Sequence, residues 1–371
     1  MTHVMLIGAG GNIGSHLVPH LARLPGIARL TLVDRDRYEA RNLENQDVPA
    51  RSVGRPKARV QAARARRVNP SLKVVAHACD VEALPLGAFR ADLVVTGLDG
   101  RRARQRVNYA VRGLGVPWLD GGVLGTGTLA RVTRISPAPD SPCLECRWDE
   151  ADYAALEQSY PCDHSSLSPF APPRTGAPSG LGALAAALLA LECRKLLRGD
   201  PDGLAPGAEL VVDAAHHRWL VTGARRFEGC RLPEHAPWHI EPLAFSLREP
   251  LESLLGLLAR KTGANGDLAV GVEGSRIARR LTCERCGAAR DALRVASRLR
   301  PADRRCARCG GRAAPAGFGL HEWVTPASLT RDQLRSPAGR FGLAPGEVIL
   351  AGGTGGFTRF ELVSPAGNGP Q

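Results

Sequence analysis

Lysine is almost absent from this chain, and aromatic residues are sparse. Of 49 basic residues only Lys57, Lys73, Lys195 and Lys261 are lysines, and Phe, Trp and Tyr together make up 5% of the 371 residues. A formal net charge of +13 invites a nucleic-acid partner, but the basic residues are spread along the chain, and no aromatic-rich platform or helix-turn-helix pattern accompanies them. The arginine excess beside abundant Ala and Gly reads as a compositional bias, so nucleic-acid binding is not expected. Steering an acidic protein partner is the other use of the charge. Long apolar runs are missing too. The longest, GLGALAAALLAL before Glu192, falls short of the roughly 20 residues that cross a bilayer, so no membrane span is expected. The opening MTHVMLIGAGG has no basic n-region and no cleavage site, so no signal peptide is expected and the setting is read as cytoplasmic. In such a setting ten cysteines argue for metal rather than disulfides. Six of them stand as C-x-x-C, in the pairs Cys143/Cys146, Cys283/Cys286 and Cys306/Cys309. That spacing lets two thiolates reach one tetrahedral Zn²⁺.

What is present begins with a glycine loop. Residues 4–15 read VMLIGAGGNIGS, an apolar run that breaks into a turn and continues as the helix-like LVPHLARL. Gly8, Gly10 and Gly14 fit G-x-G-x-x-G, where the missing Cβ lets the turn tighten and brings backbone N–H groups to a phosphate at a helix N-terminus. The next strand, ARLTLVD, ends in Asp34, placed to accept from ribose hydroxyls. The helix-forming KARVQAARARRV stops at Asn69-Pro70. Strands KVVAHA and ADLVVTGLD follow, then the helix RRARQRVNYAVRGL and the strands VPWLDGG and TLARVTRIS. This alternation predicts an α/β fold with a doubly wound, Rossmann-like, mostly parallel sheet. Asp99 falls at the carboxyl end of a strand, where such sheets hold their ligands.

Residues 34–58, DRDRYEARNLENQDVPARSVGRPKA, are too polar and too specifically arranged for an ordinary dehydrogenase. With the loop Gly8-Ala9-Gly10-Gly11 through Ser15, Asp34 and Asp36, Asn42-Leu43 with Gln46, Gly54 with Lys57-Ala58, and Asp99, the sequence resembles the ThiF/MoeB/HesA family of ubiquitin-activating-like (E1-like) adenylyltransferases. The resemblance covers roughly residues 1–235. It implies an enzyme that uses ATP and Mg²⁺ to adenylate the C-terminal glycine of a small ubiquitin-like or sulfur-carrier protein, and it implies a homodimer. It further implies that Gly8, Gly10, Gly11, Gly14, Asp34, Asp36 and Asn42 hold the nucleotide, that Lys57 is the phosphate-facing cation, and that Asp99 holds Mg²⁺. Each has an ordinary reading as well, since a Lys in a helix's first turn is usually solvated and an Asp after a strand is often a cap.

Two family arginines are not where the resemblance puts them. One belongs in the N-L-x-R-Q stretch, where this chain has Asn45, and the other on a helix ahead of the first strand, with which this sequence opens. Arg41 and Arg55 flank the motif as candidate substitutes. For PCLEC, with Cys143 and Cys146, the resemblance implies a second metal pair after the last strand of the domain. Cys230 is there without a C-x-x-C partner, and His235, with His239 behind it, is the nearest replacement, giving a closed Cys₃His site. The plainer reading makes Cys230 a small buried residue and the histidines solvent-exposed. The Pro- and Ser-rich stretch 152–180 reads as a loop. In the family it crosses the active site, and Cys162, followed by His164, is the candidate thiol for a thioester. Cys193 lies in the helix SGLGALAAALLALECRKLLRG and reads as core.

The tail is expected to be a different unit. Cys283, Cys286, Cys306 and Cys309 stand as C-x₂-C-x₁₉-C-x₂-C with Gly after both pairs, a zinc-ribbon pattern. GGTGG lacks the Lys and following helix of a phosphate loop and reads as a hairpin turn. The expected division is an adenylation domain over 1–238, a linker with a helix over 239–280, a zinc ribbon over 281–312 and a small β-rich unit over 313–371. Two alternatives stay open: a noncatalytic scaffold for a ubiquitin-like partner, and a nicotinamide (NAD)-dependent dehydrogenase.

Overall fold

The computed structural model describes residues 2–124, 128–157, 176–232, 234–264 and 266–365. They fall into two compact units. The first holds residues 2–84 and 89–237, and the second holds residues 85–88 with the chain from 238 onward.

The first unit is one eight-stranded sheet with helices on it. In chain order it runs β1 (Thr2–Ile7), α1 (Asn12–Arg23), β2 (Ile27–Val33), α2 (Lys57–Val68), β3 (Lys73–His77), β4 (Leu93–Thr96), α3 (Arg101–Leu114), β5 (Trp118–Val123), β6 (Leu129–Ile135), α4 (Glu150–Glu157), α5 (Ser179–Arg198), β7 (Ala208–Asp213) and β8 (Arg218–Gly223). The strand order is 3-2-1-4-5-6-7-8. Strands 3, 2, 1, 4 and 5 are parallel, and 6, 7 and 8 extend the sheet as an antiparallel meander. Val4, Met5 and Leu6 of β1 and Leu93, Val94 and Val95 of β4 are fully buried, which is why the central strands read as unbroken apolar runs rather than as alternation. Leu17 and Leu21 of α1 share one core with Leu6, Leu30, Leu32 and the Ala185, Ala186 and Leu189 face of α5. Gly115 and Gly199 close α3 and α5 in the left-handed conformation, the usual helix stop. The chain leaves β1 toward β2 on one side, and β4 lies on the other. The order therefore reverses between β1 and β4, and the crevice at their carboxyl ends is where a ligand is held in such sheets.

The second unit contains β9 (Ile240–Ala244), α6 (Leu251–Thr262), β10 (Ala269–Val272), β11 (Ile277–Cys283), β12 (Ala289–Val295), β13 (Ala313–Ala314), β14 (Leu320–His321), β15 (Trp323–Val324), α7 (Arg331–Arg335), β16 (Val348–Gly353) and β17 (Gly356–Val363). One sheet runs 15-10-16-17-9, and a second is built on β11 with β12, β13 and β14. Leu251, Leu254, Leu255 and Leu258 give α6 an apolar stripe at helical spacing, buried with Val270, Ile349, Ala351 and Phe360. The stretch 239–280, expected to be a linker with a helix, is thus strand, helix and strand within the same unit as the ribbon and the final hairpin. The GGTGG stretch forms the β16–β17 turn, where Thr354 donates from N (2.8 Å) and Oγ1 (2.9 Å) to the Asp267 carboxylate.

Candidate active site and metal clusters

The glycine loop is shaped by close approaches that a side chain would block. Gly8 has φ +82°, and a Cβ there would lie 2.6 Å from the carbonyl oxygen of Gly97, in the turn after β4. At Gly14 a Cβ would lie 2.0 Å from the Gly8 oxygen, so its absence lets α1 seat directly on the loop. Gly11 precedes α1, and no side chain caps this helix. Its N-terminus is left to attract an anion through the helix dipole and free N–H groups.

Asp34 closes β2 and is 8% exposed. One carboxylate oxygen accepts from the Gly10 N–H at 2.8 Å and the other from the Asp36 N–H at 3.0 Å. Burial pushes its pKa up, against the pull of these bonds and of Lys57. Each oxygen keeps a lone pair for a ribose hydroxyl. Lys57 is not the solvated lysine of a helix's first turn, being only 6% exposed. Its stem lies under Gly10, where a Cβ would come 2.4 Å from the Lys57 Cβ. Its ammonium stands 3.6 Å from Asp36 and 5.6 Å from the centre of the Tyr38 ring.

Asn42 accepts from the Glu39 N–H at 2.9 Å, and Arg41 pairs with Glu39 at 2.6 Å, both side chains about half exposed. Arg55 is exposed. The buried acceptors Asn12 Oδ1, Asn45 Oδ1 and Gln46 Oε1 find no donor, capacity that a ligand or water would satisfy. Asp99 is exposed in the turn between β4 and α3, at the carboxyl end of the sheet. Cys162 and His164 lie outside the described residues.

One group here has no counterpart in the sequence reading. Asp120, in β5, is fully buried. It accepts from Thr96 Oγ1 at 2.5 Å and from Arg131 at 2.8 Å, and it pairs with Arg104 Nε at 3.1 Å. Arg104 also donates to the carbonyl of Leu98, beside Asp99, and Arg131 pairs with Glu209 at 3.1 Å. The signal available beforehand was a charged residue inside the apolar strand VPWLDGG.

Two sulfur clusters complete the picture. Cys143, Cys146, Cys230 and His235 converge, and so do Cys283, Cys286, Cys306 and Cys309, with the ligand atoms of each set within 4.8 Å of one another. His235 is buried, while His239 is exposed. In the first set the Cys143–Cys146 and Cys143–Cys230 sulfurs are 3.8 and 3.6 Å apart, and His235 Nε2 is 3.3 Å from Cys146. In the second, Cys283–Cys309 and Cys286–Cys306 are 3.5 and 3.7 Å apart. A tetrahedral ion with Zn–S bonds of about 2.3 Å spaces its thiolates about 3.8 Å apart, so both donor sets fit zinc. The hydrogen bond shared by Cys143 and Cys146 holds the Cys146 thiol down and pushes Cys143 up, and a metal would take the set as thiolates, releasing their protons.

Helix α3 supports the first cluster. Asn108 accepts from the Leu144 N–H and donates to Glu145, which also receives Gln105 and the Tyr153 hydroxyl. Arg112 donates to the carbonyl of His235 at 2.6 Å.

Loop, reversed strand order and buried lysine together define a doubly wound nucleotide-binding domain. The chain belongs to the ThiF family, whose model matches residues 1–232. It is 28% identical over 233 residues to the sulfur carrier protein ThiS adenylyltransferase of Escherichia coli (strain K12), covering 62% of this chain and 84% of that one. To the NEDD8-activating enzyme E1 catalytic subunit of Saccharomyces cerevisiae it is 30% identical over 156 residues, 39% of this chain and 51% of the relative. The crystal structure of E. coli MccB with ATP shares the fold, with a TM-score of 0.51 at 20% identity over 62% of this chain and 65% of that one. The relatives are named as adenylyltransferases and E1 activating enzymes, and this chain is an enzyme of that adenylyltransferase class. None of the described helices is long and apolar enough to cross a membrane.

Proposed function

We propose that the chain uses ATP to adenylate the C-terminal glycine of a small ubiquitin-like or sulfur-carrier protein. The observation that carries this reading is the reversal of strand order between β1 and β4, with an uncapped helix start after β1, a buried lysine beneath the glycine loop and an exposed carboxylate in the turn after β4. In the reaction a carboxylate oxygen of the partner's last residue attacks the α-phosphorus of ATP. The bond to pyrophosphate breaks, leaving an acyl adenylate. Charge gathers on the non-bridging oxygens and the leaving group, so fixed cations are the main resource. Lys57 faces that charge, the loop N–H groups and α1 hold the phosphates, and Asp34 receives the ribose. Asp99 would hold Mg²⁺, which supplies Lewis-acid charge to the phosphates when bound. In a following step the Cys162 thiolate would attack the acyl carbon and release AMP, giving a thioester. A homodimer and a cytoplasmic setting belong to the same proposal, as do zinc ions in the two sulfur clusters.

ThiF membership leaves the nicotinamide alternative without support. A scaffold that binds its partner without forming AMP draws on Asn45 in the arginine position and on Arg41 being paired with Glu39. ATP–pyrophosphate exchange with carriers ending in Gly-Gly separates the two. Wild type should exchange, Asp99→Ala should abolish exchange, and Cys162→Ala should spare it. Partner binding with no exchange by wild type would leave the scaffold reading standing.

A further inference from the structure

A fully buried carboxylate is costly unless strong donors surround it. Asp120 has three: the Thr96 hydroxyl, Arg104 and Arg131. Thr96 is in turn held by the Trp118 indole N–H at 2.9 Å, so the carboxylate is fixed from the strand side. Arg104 transmits that position outward. Its Nε is bound to Asp120, and its Nη2 donates to the carbonyl of Leu98, in the turn that carries Asp99. The same turn is pressed from the other side, since the Gly97 N–H donates to Ile7 at 3.0 Å and its carbonyl abuts Gly8. Only Asp99 itself extends into solvent.

We propose that Asp120 is a positioning residue for the nucleotide site: through Arg104 its carboxylate fixes the Leu98 carbonyl and so sets where Asp99 meets the metal–nucleotide. Arg104 is 14% exposed in its side chain. Without Asp120 it becomes a poorly solvated charge that must turn toward water, and its bond to Leu98 goes with it. The inference rests on the reading of Asp99 given above. It adds a residue that touches neither phosphate nor metal.

The test uses the full chain, ATP and Mn²⁺, with the free Mn²⁺ signal read by electron paramagnetic resonance, alongside ATP binding in EDTA by calorimetry. Asp120→Asn is expected to weaken binding of Mn²⁺–ATP roughly tenfold, the scale at which groups behind a metal ligand act, while affinity for metal-free ATP holds. Combined with Asp99→Ala it should add little, because both changes act through one group. Equal loss with and without metal, no loss, or full additivity with Asp99→Ala overturns the proposal. Should Asp120→Asn fail to melt cooperatively, Arg104→Gln cuts the same link while leaving Asp120 its bonds to Thr96 and Arg131, and it must show the same metal-selective loss. A wild-type chain that binds no Mn²⁺–ATP overturns the nucleotide reading and this inference together. Wild-type binding with unaffected variants overturns the inference alone.

Discussion

At the scale of single residues, the side chains proposed to carry the chemistry are legible in the sequence because their types are unusual where they stand. A lysine in a chain with almost none, glycines at fixed spacing and an acid after an apolar strand each declare themselves. Asp120 did not, because its donors come from 24 and 16 residues before it and 11 after it, and Arg131 is brought over Gly122 only by the β5–β6 register. Titration behaviour was hidden for the same reason. His3, His16 and His77 are half-buried in the first unit, and for each burial is the largest cause lowering the pKa below 6.5. At His16 the neighbouring Asp47 opposes that shift. A folded-state pKa below the unfolded value means that these groups contribute full stability above about pH 6.5 and lose it as pH falls through their folded-state values. Thermal melts of wild type should therefore drop as pH is lowered from 7 to 5. His77→Gln should reduce that slope, and an unchanged slope would place the acid sensitivity elsewhere.

At the scale of elements, helices whose ends are chemically marked were read to the residue. KARVQAARARRV is α2 and RRARQRVNYAVRGL is α3, bounded by Asn69-Pro70 and by Gly115. Strand β9 escaped because IEPLA carries a proline and no alternation, and its parallel partner β17 comes more than 110 residues later. The sequence pairs Cys143 with Cys146 by spacing, yet what shapes that knuckle is one face of α3. Asn108 ties the Leu144 N–H and the buried Glu145 at 3.0 Å each. Asn108→Ala would strip both bonds from the segment between the two thiolates without removing a ligand. Zinc affinity should fall about 10–100-fold, measured by competition with a chromophoric chelator. An unchanged affinity would mean that the four ligands orient themselves.

At the scale of the molecule, alternation of strand and helix announced the first unit, whereas the second was concealed by its order of assembly. Its main sheet draws strands from near residues 240, 270, 323 and 350–363, with the ribbon inserted between β10 and β15. A ribbon read from four cysteines looks self-sufficient, but Ile277 and Val295, at the root of its hairpin, are buried in the core that α6 covers. The other sulfur cluster belongs to the first unit, tying Cys143 and Cys146 to Cys230 and His235 near its end. Each unit thus has its own core and its own donor set, and metal binding to a site formed only on folding contributes to the stability of the unit that contains it. Thermal unfolding should show two transitions. Cys230→Ser should lower the transition of the first unit and leave that of the second, Cys286→Ser should do the reverse, and a chelator under reducing conditions should lower both. Calorimetry of the zinc-loaded chain with the two variants checks this, and a single transition displaced equally by either substitution would show that the units unfold as one.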